Sequence, residues 1–381
     1  MRTDLERGLS LGVVAAFAAV FFTSGCWSTD SGEESAQADG GGQGRAITLT
    51  GAGATFPYPI YSRWFSIYSS NNPVRVNYQS VGSGGGIRQM IEHTVDFGAT
   101  DAPLTEEDLA RIPGTLSIPT VIGAVVVTYN LPEVTSTLRL DGPTVAAILL
   151  GEITNWQDAR IGAMNPGAQL PDRAILPVHR SDGSGTTYVF TDFLSAVSPE
   201  WTNQVGFGNA VRFPTGLGAR GNEGVTGQVR QSPGAIGYVE QVYARQNDMP
   251  AAAIMNAAGE FVEPSVETMT RAALGLGDRI SEDNDFRLSI VNASGSGAYP
   301  IASWTYLLIS PHFDACGKAE ALIDLIRWSL LEGEGDASAL GYAPIAMDIR
   351  LRALDALRSV TCGASRRPVM DPGQVFTPSA R

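Results

Sequence analysis

The sequence predicts an α/β fold with two domains. From residue 46 onward, short runs of apolar and β-branched residues alternate with segments of helical spacing, as they do in βαβ units. A chain of 381 residues is long enough for two domains of ordinary size. Its hydrophobic content of 44% allows each domain to bury a core, so extensive disorder is excluded.

The secondary-structure pattern is clearest around three glycine-rich loops. Apolar and β-branched runs predict strands at 75–79, 95–100, 118–129, 174–179 and 235–239. Helical spacing predicts helices at 87–93, through Phe190, Phe193 and Leu194, and at 319–331 and 348–360. Helices thus follow several of the strands directly.

The amino terminus has the pattern of a secretory signal. The apolar run 9–22 is shorter than the roughly 20 residues needed to span a bilayer, which favours a signal peptide over residues 1–25. Small residues precede Cys26, so we expect a bacterial lipoprotein in which Cys26 carries the lipid. The alternatives are a cleaved signal without lipid, or an uncleaved anchor with an incidental cysteine.

The following segment, 26–46, is rich in Ser, Gly, Glu, Asp and Gln, which is typical of a flexible tether. A signal peptide, a lipidated cysteine and a tether in this order predict that the globular part is anchored to a membrane of the cell envelope outside the cytoplasm. It would lie either in a periplasm or on the outer face of the cytoplasmic membrane. In such an oxidising compartment Cys316 and Cys362 either form a disulfide or remain two buried thiols.

Charge and composition exclude several function classes. With 26 basic and 39 acidic residues, the net charge of −13 argues against a nucleic-acid partner. Lys318 is the single lysine and no P-loop motif surrounds it. The absence of CxxC and the wide separation of the three histidines argue against zinc, so we expect neither a metal nor a cofactor.

Three loops, at 51–56, 82–86 and 182–186, share the order of strand end, small residues and helix start. Free N–H groups at a helix start attract anions, and Ser and Thr hydroxyls add further donors. One such loop alone is more often an ordinary N-cap. Three loops together with Arg180 favour a polyoxyanion held from several sides. Dinucleotide and nucleophile-elbow motifs are absent.

Seven segments of the chain resemble the phosphate-binding proteins of bacterial high-affinity phosphate ABC transporters. They occur in the family's order between about residues 47 and 357, and they are 49–57, 77–86, 95–103, 151–156, 179–187, 233–240 and 298–301. The resemblance implies capture of inorganic phosphate, delivery to transmembrane permease subunits, no enzymatic activity and a monomeric chain.

The same resemblance implies a two-lobed periplasmic binding protein fold of type II, the Venus-flytrap architecture, with two chain crossings. Lobe I would comprise 47–121 and 298–362, and lobe II would comprise 122–297. The remaining residues, 363–381, are expected to form a C-terminal extension outside the core.

The family's phosphate ligands transfer to eight positions of this sequence. Thr55 and Phe56 would donate backbone N–H groups, and Asp182 would pair with the site's arginine. The full ligand set implied by the resemblance is Thr55, Phe56, Ser83, Asp101, Arg180, Ser184, Gly185 and Thr186.

Asp101 has a physical role in this scheme. Phosphate near neutral pH keeps at least one hydrogen, which an ionised Asp101 can accept, whereas sulfate has none to donate. The alternatives are a turn or N-cap aspartate at Asp101 and a surface ion pair between Arg180 and Asp182. The alternative functions are binding of sulfate or molybdate, a phosphate sensor or adhesin without a transport role, and an envelope phosphohydrolase.

Overall fold

The computed structural model describes residues 46–275, 286–371, 373 and 376. The predicted signal peptide at 1–25, Cys26 and nearly all of the tether lie outside the described residues. Within the described ranges, no helix combines the length and apolar character required to span a bilayer.

The chain forms strands β1 to β15 between residues 47 and 368. Their bounds are β1 Ile47–Gly53, β2 Val74–Ser80, β3 Phe97–Thr100, β4 Leu116–Tyr129, β5 Arg139–Leu140, β6 Leu176–Arg180, β7 Leu217–Ala219, β8 Ala235–Glu240, β9 Ala253–Met255, β10 Phe261–Val262, β11 Ala302–Ile309, β12 His312–Phe313, β13 Ala343–Pro344, β14 Thr361–Cys362 and β15 Arg367–Pro368.

Helices connect most of these strands, and a 3₁₀ turn at Leu357–Ser359 follows the last of them. Their bounds are α1 Tyr58–Asn71, α2 Ser83–Ile91, α3 Glu106–Arg111, α4 Gly142–Leu150, α5 Ala159–Met164, α6 Gly185–Val197, α7 Pro199–Gln204, α8 Gly221–Gln231, α9 Gln241–Gln246, α10 Val266–Leu274, α11 Cys316–Leu331, α12 Glu334–Leu340 and α13 Met347–Ala356.

One large sheet organises the fold, in the order β2-β1-β3-β11-β4-β8-β6-β7, with β13 pairing on β4. Parallel pairs occur at both ends, where β1 pairs with β2 and β3, and β6 pairs with β7 and β8. We call β2, β1, β3 and β11 the β1 half, and β8, β6 and β7 the β6 half.

Strand β4 joins the two halves because it changes partner along its length. Its first part, up to Ala124, pairs with β11, and its second part, from Val125, pairs with β8. A run of apolar and β-branched residues makes this possible, since β4 is buried from Ile118 to Tyr129 and needs side chains that pack on both faces. The chain therefore passes into the β6 half through β4 and returns to the β1 half at β11.

The predicted elements are present, with shifted ends. Helix α2 begins at Ser83 instead of residue 87, because the glycines expected to form a loop are already helical. The strand predicted at 174–179 extends through Arg180 as β6, and the helix predicted at 348–360 ends at Ala356. These differences move the two site residues Ser83 and Arg180 onto the ends of regular elements.

The sequence analysis expected residues 363–381 to lie outside the core. The start of this segment instead packs against the core. Strand β15 pairs antiparallel with β14, and Met370, only 6% exposed, belongs to the main hydrophobic cluster. A disulfide between Cys316 and Cys362 holds β14 against the start of α11, with the two Cα atoms 5.0 Å apart. This connection gives the residues after Cys362 a fixed surface on which to fold back.

We expect the disulfide to contribute to stability. It joins residues 46 apart in sequence, and chain entropy assigns about 4 kcal/mol to a loop of that size. Urea unfolding of the Cys316→Ser/Cys362→Ser double variant should therefore show a lower free energy of unfolding. Reductant should lower the midpoint of the natural protein and leave that of the variant unchanged; an unaffected natural protein would contradict the prediction.

Candidate anion-binding site

The predicted site residues follow the carboxyl ends of parallel strands, where ligands of α/β sheets commonly bind. The first glycine-rich loop lies between β1 and α1, the second between β2 and α2, and the third between β6 and α6. Asp101 directly follows β3, the strand next to β1. Residues from both halves of the sheet thus reach one region.

Every predicted ligand is buried in this region. At most 5% of each residue with a polar side chain is exposed, and these residues are Thr55, Ser83, Asp101, Arg180, Ser184 and Thr186. Ser184 also caps α6, since its Oγ accepts a hydrogen bond of 3.0 Å from the Thr187 N–H. A buried helix start with a capped first turn matches the predicted cradle.

Ser83 connects the two halves of the sheet. Its Oγ accepts hydrogen bonds from the backbone N–H of Asp101 at 3.3 Å and of Gly185 at 3.1 Å. Gly185 must be a glycine here, because a Cβ at this position would lie 2.6 Å from Asp101 Oδ2. The start of α6 therefore packs directly against the carboxyl group of Asp101.

Asp101 has one engaged and one free carboxyl oxygen. Oδ1 accepts a hydrogen bond of 2.8 Å from the Thr305 hydroxyl, while Oδ2 accepts none from any described residue. Burial raises the pKa of Asp101 to about 7, although the Thr305 hydroxyl, the Arg180 charge and the Ser83 hydroxyl oppose the rise. The alternative of an N-cap aspartate is wrong, since Thr105 caps α3.

Arg180 is held by Asp182 in a two-pronged ion pair. Nε donates to Oδ1 at 2.7 Å and Nη2 donates to Oδ2 at 2.6 Å, while Nη1 donates to Thr186 Oγ1 at 3.3 Å. The side chains are 1% and 12% exposed, so the alternative of a surface ion pair is wrong. Burial alone would raise the pKa of Asp182, but Arg180 and the Gly221 N–H together hold it below its ordinary value.

Asn222 is a site residue that the sequence analysis missed. Its side-chain Nδ2 donates to Thr55 Oγ1 at 2.7 Å and to Thr186 Oγ1 at 3.2 Å, and the residue is fully buried. A signal was present, because β7, Gly221 with a φ of 73° and the start of α8 form a fourth loop of the same design. Two tyrosines were missed as well.

These tyrosines fix the first loop through its carbonyl groups. Tyr243 donates its hydroxyl to the Thr55 carbonyl at 2.6 Å, and Tyr342 donates to the Phe56 carbonyl at 2.7 Å. The backbone N–H groups of Thr55 and Phe56 donate to none of the described residues. The loop is thus held with two amide donors available, as the predicted ligand set requires.

Hydrogen bonds within the site also orient hydroxyl groups so that they can donate to a ligand. A hydroxyl has one proton and two lone pairs. Protein N–H groups already occupy acceptor positions on Thr55 and Thr186, which leaves the proton of each of these two hydroxyls available. Two N–H groups also bond to the Ser83 hydroxyl, which interacts with the Asp101 carboxyl. The arrangement therefore combines several donors with Asp101 Oδ2, an acceptor that is unpaired among the described residues. Among the described residues, no group of three or more His, Cys, Asp or Glu side chains could hold a metal ion.

The raised pKa of Asp101 predicts a pH-dependent stability. In the folded protein this carboxyl holds its proton up to about pH 7, against an ordinary pKa of 3.8, so its contribution to stability is lost progressively as the pH rises from about 4 to 7. Asp101→Asn removes this loss. In phosphate-free buffer, the gain in free energy of unfolding should be on the order of 2 kcal/mol larger at pH 8 than at pH 5. Equal gains at both pH values would contradict the prediction.

Comparison with known proteins finds similar sequences over most of the chain. A family model described as a PBP superfamily domain matches residues 31–332. The chain is 43% identical over 306 residues to "Phosphate-binding protein PstS" of Pasteurella multocida, covering 80% of this chain and 88% of that protein. It is 44% identical over 304 residues to the protein of the same name from Xylella fastidiosa, covering 80% and 83%.

The fold has counterparts among solved structures. The structure titled "Phosphate-Binding Protein from Stenotrophomonas maltophilia" matches with a TM-score of 0.64 and 20% identity, over 81% of this chain and 93% of that chain. This likeness confirms the predicted α/β fold of the two-lobed periplasmic binding protein class. With the sequence matches it confirms the family resemblance: the chain belongs to the PstS family of phosphate-binding proteins.

Proposed function

We propose that this protein captures inorganic phosphate between the two halves of its sheet and delivers it to the permease of an ABC transporter. The observation that carries the proposal is Oδ2 of the buried Asp101, which accepts no hydrogen bond from the described residues and lies among several donors. The names of the relatives from Pasteurella multocida and Xylella fastidiosa support it. Proteins of this family bind their ligand and are not enzymes.

The eight positions predicted from the sequence are the proposed phosphate ligands. Backbone N–H groups of the first loop, the hydroxyls and the arginine N–H groups that are not bonded to Asp182 or Thr186 would surround the ion, and Asp101 would accept its hydrogen. Gly185 N–H, which donates to Ser83 Oγ here, would be shared with the ion. The set is Thr55, Phe56, Ser83, Asp101, Arg180, Ser184, Gly185 and Thr186.

We further propose that the two halves act as lobes that close over the ion. Lobe I would consist of 47–121 and 298–362, and lobe II of 122–297. The change of partner along β4, between Ala124 and Val125, supports a boundary near this point. Closure removes water from the ion, which strengthens each hydrogen bond, and gives the permease a shape that differs between loaded and empty protein.

The pKa of Asp101 has a consequence for selectivity. A hydrogen bond between a phosphate oxygen and Asp101 Oδ2 needs one proton. Either the phosphate or the Asp101 carboxyl can supply this proton. Sulfate brings none, so it can bind well only when Asp101 is itself protonated. With a pKa of about 7, Asp101 is mainly ionised at pH 8.5 and mainly protonated at pH 5.5. Selection against sulfate should therefore be strong at the higher pH and weaker at the lower.

Isothermal titration with phosphate and sulfate at pH 5.5 and 8.5 tests this function. We expect a preference for phosphate of about 10⁴-fold or more at pH 8.5, which decreases at pH 5.5. Asp101→Asn should gain sulfate binding at pH 8.5 by at least roughly tenfold, because its amide can donate to a bare oxygen. Asp192→Asn is the matched control, since that half-buried carboxyl accepts from Ser289 outside the ligand set.

Two results of this titration would contradict the proposal. Absence of phosphate binding by the natural protein would refute the proposal that it captures phosphate. Sulfate binding that is equally weak in Asp101→Asn and the natural protein, at both pH values, would show that Asp101 does not select the ion by its hydrogen.

We also propose that the protein acts outside the cytoplasm as a monomer, anchored through a lipid on Cys26. The small residues before Cys26 and the apolar run 9–22 support this anchor. Cells fed labelled palmitate should incorporate label into the natural protein and not into Cys26→Ser, and the variant should leave the membrane fraction. Equal labelling of both proteins would contradict the anchor site.

A further inference from the structure

Asn222 occupies the start of α8, directly after β7 and Gly221. No part of its side chain is exposed to solvent. Its Oδ1 accepts a hydrogen bond of 2.8 Å from the backbone N–H of Glu240, at the end of β8. Because that buried N–H needs an acceptor, the orientation of the amide is fixed, and its NH₂ group must point the opposite way.

The NH₂ group points at two hydroxyls of the proposed ligand set. Nδ2 donates to Thr55 Oγ1 at 2.7 Å and to Thr186 Oγ1 at 3.2 Å, and the Asn222 backbone N–H adds a bond of 3.3 Å to Thr55 Oγ1. Thr186 Oγ1 also accepts from Arg180 Nη1 at 3.3 Å. Both lone pairs of each hydroxyl are therefore occupied, and only its proton remains for a ligand.

The two hydroxyls come from different halves of the sheet. Thr55 follows β1, while Thr186 belongs to α6, which follows β6. One buried amide group thus bridges the two loops, and it can hold both hydroxyls only when the halves lie as close together as they do here. Donor orientation and closure of the halves therefore depend on the same side chain.

We propose that Asn222 is a positioning residue that directs the Thr55 and Thr186 hydroxyls as donors to the bound oxyanion and links the two halves in the closed form. The inference rests on the proposed function, since the oxyanion is phosphate. Asn222 acts on the ligand through the two threonine hydroxyls. The site requires the hydrogen-bond donors of its amide group, and not only a side chain of the same volume.

Asn222→Asp separates these roles. The variant keeps the size of the side chain and the acceptor for the Glu240 N–H, but a carboxylate cannot donate and instead accepts the hydroxyl protons. At pH 8.5 we expect phosphate affinity to fall roughly 10- to 100-fold, the effect of losing charge-directed hydrogen bonds. At pH 5.5 the loss relative to the natural protein should be smaller, because a protonated Asp regains one donor.

Thr226→Val is the matched control. Thr226 lies on the same helix, is buried, and donates to the Asn222 backbone carbonyl at 2.8 Å, so the variant removes a nearby hydrogen bond without changing the amide. Its phosphate affinity should stay within about threefold of the natural value at both pH values. A loss as large as that of Asn222→Asp would assign the effect to packing of α8 and overturn the proposal.

A double-mutant cycle between Asn222→Ala and Thr55→Val gives a second measurement if Asn222→Asp does not fold. If Asn222 acts through the hydroxyl, Asn222→Ala should lower affinity much less in the Thr55→Val background. Additive losses would overturn the proposal, as would unchanged phosphate affinity in Asn222→Asp at both pH values. Failure of the natural protein to bind phosphate would instead refute the proposed function.

Discussion

Burial of the Asp101 carboxyl group is the constraint around which the site is organised. An ionised carboxylate removed from water without full compensation is unfavourable, and here its pKa is raised to about 7. Thr305 satisfies one oxygen, but the other accepts no hydrogen bond from the described residues. Such a group is stabilised by a ligand that brings a hydrogen. In the proposed function, the incomplete hydrogen bonding of Asp101 is therefore the source of selectivity.

Close approach of the two halves depends on this same carboxyl. Asp101 Oδ2 faces Gly185, whose lack of a side chain lets the start of α6 reach Ser83 and Asp101. A larger residue would separate α6 from β3 and leave space for water beside the carboxylate. Water would satisfy the free oxygen and lower its pKa, and the demand for a hydrogen-bearing ion would disappear.

Local features of the site could be predicted from the sequence, and long-range ones could not. The three loops and the strands before them are local patterns, and Ser184 and Arg180 lie where these patterns place them. The early start of α2 was missed because consecutive glycines disfavour helix. Asn222 and Tyr342 reach the first loop from 167 and 286 residues away in sequence. A fourth loop of the same design marks Asn222 in the sequence, but only the folded sheet brings either residue to the first loop.

The charges of the site explain why donor orientation matters so much. Asp182 neutralises Arg180, and Asp101 adds a charge between zero and minus one, so these three side chains of the proposed site carry no net positive charge. Burial also raises the pKa of Glu240 well above its ordinary value, which disfavours a negative charge on that nearby carboxyl. In a chain with a net charge of −13, attraction of an anion by overall charge is excluded. Affinity must then come from hydrogen bonds whose donors already point at the ion, which gives residues that orient those donors an effect on binding without contacting the ligand.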